Sequence, residues 1–251
     1  TPALLSNKPL ETICLEKAIV ICEQHISNYA HFQLHTMLRI YDLIPKLGDL
    51  SDFTIIIDDE LGSSRCDFKR DLIEIHPLFN KLKFTYARNR IIRVNKLFTH
   101  SHRNIDTESY KLKNMWSIVN IKSQLEFKRV YIERRTSNNG SSYRRVVNHE
   151  ARDEWLVKNS FKLFYMEDLT LDEEISLFRN CQIVVGVVGA ALINIVHMKP
   201  GSLVVELHHH KFIESSFSDM AKFLEINYVK LPCRNPILRK EAYSLPFRML
   251  P

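Results

Sequence analysis

No stretch of about 18 uncharged apolar residues occurs in this 251-residue chain, and its start, Thr1-Pro2, carries no basic-then-apolar leader. Neither a membrane span nor a signal peptide is therefore expected in it. Cysteine is sparse: Cys14, Cys22, Cys66, Cys181 and Cys233 are scattered, with no Cys-x-x-Cys pair and no zinc-like spacing, so buried free thiols are expected. No Gly-x-Gly-x-x-Gly follows the first apolar run, which argues against a dinucleotide-dependent oxidoreductase. An aromatic-basic nucleic-acid signature is missing as well, so no nucleic-acid partner is expected.

What is present is ample apolar material. Hydrophobic residues make up 45% of the chain and charged residues 25%, a composition that excludes disorder. The length favours two compact domains over one. An excess of 35 basic over 29 acidic residues suits an anionic ligand or peripheral contact with an acidic membrane surface. A sequon, Asn139-Gly140-Ser141, lies in a polar stretch and would matter only in a secreted chain.

Strand and helix patterns alternate, which predicts an α/β protein with largely parallel sheets. In the first half, strands are expected at residues 17–22, 53–57 and 91–98, and a helix at 30–44 that stops at Pro45. The polar segment Thr99 to Thr107 reads as a linker, dividing the chain into domains 1–105 and 106–251. In the second half, strands are expected at 128–133, 161–166, 181–186, 202–206 and 226–231. Helices are expected at 149–159, from a Thr170/Glu173 capping box to about 179, from Gly189 to Lys199, and at 212–224. That rhythm is Rossmann-like.

In an open parallel sheet the ligand cleft lies beyond the carboxyl ends of the strands, where helix amino termini offer free N–H groups. The turn Gly186-Val187-Val188-Gly189-Ala190-Ala191 has that place, and its small side chains would let a diphosphate approach the backbone. Small residues also permit tight helix-to-sheet packing, the plainer reading of such a turn taken alone. Arg134 and Arg135 end a strand and could clamp a diphosphate or edge a solvated loop. Glu206 could accept ribose hydroxyls or be a surface carboxylate, and Asn148 and Glu150 could simply cap a helix. His208-His209-His210 lie on a strand whose faces alternate, so they cannot converge on a metal.

From Cys181 to Leu207 the order of elements is an apolar strand, Gly186, a Gly189-Ala190 turn, Leu192-x-Asn194, a helix, Pro200-Gly201 and a strand ending in Glu206. Upstream stand Glu133-Arg134-Arg135, Arg144-Arg145-Val146-Val147-Asn148-His149-Glu150, and Asn28-Tyr29-Ala30-His31-Phe32. Together these segments resemble glycosyltransferase family 61 over about residues 17–231. The resemblance implies a GT-B-like fold, two Rossmann-like domains facing across a cleft, with acceptor contacts from the first and the nucleotide in the second. It implies donor binding by Arg134, Arg135, Arg145, Asn148, Gly186, Val188, Gly189, Ala190, Asn194 and Glu206.

It further implies a nucleotide-sugar donor, UDP-linked by preference, a glycan or glycoprotein hydroxyl as acceptor, and inverting transfer with neither a metal nor a separate cofactor. His31 is the first choice for the catalytic base and His35 the second, although the family often has an acidic residue at the position of His35. Val188 stands where the family usually has histidine. A valine can neither donate a hydrogen bond to phosphate nor shuttle a proton, so a relative that binds nucleotide-sugar or glycan without turnover is the alternative. Either a cytoplasmic or membrane-peripheral site in a microbe or a secretory lumen in a eukaryote is compatible with this resemblance.

Overall fold

The computed structural model describes residues 10–21, 26–57, 67–87, 90–99, 109–134, 145–146, 148–209, 216–233 and 242–243. The chain divides into two compact units, Thr1–Arg103 and Asn104–Pro251. The expected linker lies, from residue 100 on, outside the described residues.

In unit 1, strands β1 (Glu11–Ile21), β2 (Thr54–Ile57), β3 (Lys83–Tyr86) and β4 (Arg90–Thr99) form a wholly parallel sheet in the order β3-β2-β1-β4. That is the order of a Rossmann half sheet. The apolar run 18–21 and the Ile55-Ile56-Ile57 run are buried, as strands covered on both faces must be. β1 begins earlier than its apolar run suggests. Its first half, Glu11 to Lys17, pairs only with β4, and Cys14 there is exposed rather than buried. Among the described residues no third strand pairs with this half, and the thiol reaches solvent.

After β1, one helical stretch runs through α1 (Tyr29–His31), a π-wound segment (Phe32–Met37) and α2 (Leu38–Leu47). Asn28 caps it by accepting from the N–H groups of Ala30 and His31. The helix does not stop before Pro45. It continues to Leu47 and ends at Gly48, whose φ of 74° lets its N–H close back on the Ile44 carbonyl. Helix α3 (Asp67–Ile75) follows β2, and its Phe68 ring meets Tyr29 and Phe32 edge-on.

In unit 2, helix α4 (Ser109–Ser117) precedes a five-stranded parallel sheet. Its strands are β5 (Arg129–Glu133), β7 (Lys162–Tyr165), β8 (Ile183–Val187), β9 (Leu203–His209) and β10 (Asn227–Cys233), in the order β10-β9-β8-β5-β7. A short strand β6 (Arg145–Val146) pairs in parallel with β11 (Ala242–Tyr243). Helices α5 (His149–Lys158), α6 (Leu171–Asn180) and α7 (Ser216–Phe223) supply the crossovers. The capping box of α6 forms as its sequence predicts, Thr170 and Glu173 each satisfying the other's backbone N–H.

Side chains alternate along these strands. Tyr131, Val185, Val205 and Leu207 share one face with Leu156 of α5 in a single buried cluster. The opposite face carries Ile132, Gly186 and Glu206 side by side in register.

The crossover from β8 to β9 differs from expectation in kind. It is a 3₁₀ helix, Ala190–His197, not an α-helix, with every residue from Leu192 to His197 buried. A segment apolar on all sides has no solvent face for an amphipathic α-helix, and the tighter, longer-rising winding fills the gap between its neighbours. Asn194 fastens it by donating 2.8 Å to Glu174 on α6. His197 meets Trp116 of α4 edge-on, and Arg179 of α6 donates to the carbonyls of Trp116 and Val119, closing the carboxyl end of α4. Burial, reinforced by Arg179, pulls His197 down to about 3, so it is a neutral packing residue.

Candidate functional site

Strand order locates the site in unit 2. β5 comes first in that sheet, β7 lies on one side of it and β8 on the other, so the chain reverses direction of travel between β5 and β8. At such a switch point the crossovers on the two sides diverge and leave a crevice at the carboxyl ends of the two strands. β5 ends at Glu133 and continues into Arg134, and β8 ends at Val187 and continues into Val188 and Gly189.

The two continuations meet. A methyl group placed on Gly189 would lie 3.5 Å from Nη1 of Arg134 and 3.7 Å from the carbonyl of Val187, so the guanidinium rests over the glycine backbone. Gly189 and Ala190 then open the 3₁₀ helix, whose first N–H groups have no side-chain cap. A guanidinium beside the amino end of a helical segment is an arrangement able to receive a phosphate-bearing anion.

Gly186 has a different task. A methyl group there would stand 3.3 Å from Cβ of Ile132, so this glycine lets β8 lie close to β5. Val188 turns inward: its side chain is buried and its N–H donates 3.0 Å to the Leu207 carbonyl, tying the turn to β9. Asn194 is fully buried against α6. Glu206 lies in mid-strand, because β9 runs on to His209, and its buried carboxylate accepts from the hydroxyl of Tyr228 on β10. Asn148 stands at the amino end of α5, where its carbonyl accepts from the Arg152 N–H, but its side chain makes no capping bond. Arg145 sits in β6 opposite Ala242, and Arg135 lies outside the described residues.

Beneath Arg134 is an arrangement with no sequence signal. Glu133, buried at the end of β5, forms an ion pair with Arg152 of α5, which is equally buried. The same carboxylate accepts the Arg134 backbone N–H at 3.0 Å. Burial raises the Glu133 carboxyl above its ordinary range, against the opposing pull of that N–H and of Arg152. The two residues are 19 apart with no repeating spacing, so no motif announces the pair.

In unit 1, His31 and His35 are one turn apart and their rings stack, with centroids 5.1 Å apart and planes 15° apart. His35 is buried and His31 half-buried. Among the described residues no three His, Cys, Asp or Glu side chains cluster so as to hold a metal ion.

Two parallel α/β units, one of them with a crevice at the switch point of its sheet, define the class. The Glycosyltransferase 61 family model matches residues 29–205, well over half of the chain. The chain belongs to that family. No curated protein matches the sequence. Among solved structures the chain is similar to the dodecameric iron-containing heptosyltransferase TibC in complex with ADP-D-beta-D-heptose. The two are 9% identical with a TM-score of 0.43, and the match covers 89% of this chain and 64% of that one.

Proposed function

We propose that this chain transfers a sugar from a UDP-linked donor to a hydroxyl of a glycan or glycoprotein, with inversion at the anomeric carbon and without a metal. The observation that carries the reading is the Arg134 guanidinium lying over Gly189 at the switch point of the unit 2 sheet. In the proposed reaction a base takes the proton of the acceptor hydroxyl, and the oxygen attacks the anomeric carbon. The bond from that carbon to the diphosphate breaks, and the diphosphate keeps the electron pair. Arg134 and the amides after Gly189 meet the charge that develops on it. His31, stacked on His35, is the candidate base.

Val188 favours a second reading, a family member that binds donor without turnover, because a buried valine occupies the position of the family histidine. Thermal-shift screening against UDP-, GDP-, ADP- and CMP-sugars, followed by product analysis with candidate acceptors, separates the two. Stabilisation by a UDP-sugar that is lost in Arg134→Ala supports donor binding, and transfer lost in His31→Ala supports catalysis. Donor binding with no turnover for any acceptor favours the second reading. No stabilisation by any sugar nucleotide sinks both.

A further inference from the structure

We propose that the buried Glu133–Arg152 pair is a positioning device for Arg134, setting the direction in which the chain leaves β5 so that the guanidinium lies over Gly189. This rests on Arg134 being a donor-site residue.

The pair is an unusual choice if its task is only to hold α5 on the sheet. Two charges removed from water cost several kcal/mol of desolvation, and well-packed apolar side chains of similar volume often replace such a pair at no loss. The surrounding face is itself apolar, with Tyr131, Val185 and Leu156 in one cluster. What apolar replacements would not supply is an acceptor for the first N–H beyond the strand. Oε1 of Glu133 takes the Arg134 N–H at 3.0 Å, while Oε2 takes Nη1 of Arg152.

Arg152 is oriented in turn. Its Nε donates 2.8 Å to Asp153, and its guanidinium lies 5.8 Å over the Tyr131 ring. The carboxylate is thus pinned from the α5 side and holds the Arg134 backbone on the other. Only the side chain of Arg134 is left to reach the glycine turn, where it meets Gly189.

Two variants test this. Glu133→Met/Arg152→Met removes both charges together and strands neither. Glu133→Gln keeps the shape but replaces one oxygen by a donor NH₂. Arg152 retains the remaining oxygen, so the Arg134 N–H then faces an NH₂ group. The readouts are the rate at which phenylglyoxal modifies Arg134, followed by peptide mass spectrometry, the Kd for UDP, and the melting temperature.

The expected result is several-fold faster modification of Arg134 and at least about ten-fold weaker UDP binding in both variants. A double variant that melts near the unaltered protein while showing these changes separates positioning from mere support. If the double variant does not fold, the Gln variant alone decides. Modification of Arg134 at the unaltered rate in a folded variant overturns the proposal. If Arg134 becomes more reactive but UDP binds none of the proteins, the positioning stands and the donor-site reading falls.

Discussion

Thr36 and Gln33 lie fully buried in the π-wound stretch, and neither side chain has a hydrogen-bond partner among the described residues. A hydroxyl without a partner carries a desolvation cost that an isosteric methyl does not. Thr36→Val is therefore expected to stabilise the protein by about 1 kcal/mol in urea melts. A loss of stability would mean that the hydroxyl has a partner in solution. His197 gives a pH dependence. Its folded pKa, about 3, lies below the ordinary 6.5, so between those values the unfolded chain binds the extra proton and stability rises with pH. The contribution is complete above pH 6.5 and declines as the pH falls, by about 2 kcal/mol at pH 5. Glu133 acts with the opposite sign, since burial raises its folded pKa. Comparison with His197→Phe, which keeps a ring against Trp116, isolates the histidine, and the variant should lose this slope between pH 7 and 5. At this scale the sequence was partly legible. Arg134 and the glycine turn were readable from their places at strand ends. Glu133 with Arg152 and Glu206 with Tyr228 were not, because each pair joins different elements, and only the folded register brings them together.

Two glycines in one turn should respond differently to the same change. Gly186→Ala places a methyl 3.3 Å from Cβ of Ile132, between two central strands that have little room to shift, and is expected to cost about 1–3 kcal/mol. Gly189→Ala meets Arg134 at an ordinary 3.5 Å, so the melting temperature should hold while UDP affinity falls. Calorimetry of both variants with and without UDP checks the contrast, and equal losses of stability would refute it. Removing the α6 cap with Thr170→Ala should cost about 1 kcal/mol without altering UDP binding. Most strands were legible because parallel strands covered on both faces are short apolar runs. Strand β3, Lys-Phe-Thr-Tyr, and helix α4 carry no comparable signal, the first being short and half-buried. The crossover after β8 was legible as a helix but not as a 3₁₀ one, since that winding follows from the space between neighbours rather than from propensity.

Each unit has a parallel sheet and a buried core of its own. Residues 104–251 expressed alone should therefore fold cooperatively and keep any stabilisation by UDP that the whole chain shows. Circular dichroism melts with and without UDP test this, and a fragment that folds but ignores UDP would move the donor site out of unit 2. The parallel α/β class and the presence of two such units follow from the alternation of strand and helix patterns. Strand order does not, because it depends on which crossovers turn which way.

The 3₁₀ crossover also acts as a ruler. At about 2.0 Å per residue against 1.5 Å for an α-helix, its eight residues reach roughly 16 Å rather than 12 Å. One end lies at the Arg134–Gly189 contact, and its buried residues run on to His197 before the exposed turn at Pro200-Gly201. One residue gained or lost between Ala190 and Asn194 would turn the two sides of the change by about a third of a revolution relative to each other, so that Asn194 could not meet Glu174 while the glycine turn meets Arg134. Changes of length in a diverging lineage should therefore spare this span, however freely they accumulate elsewhere.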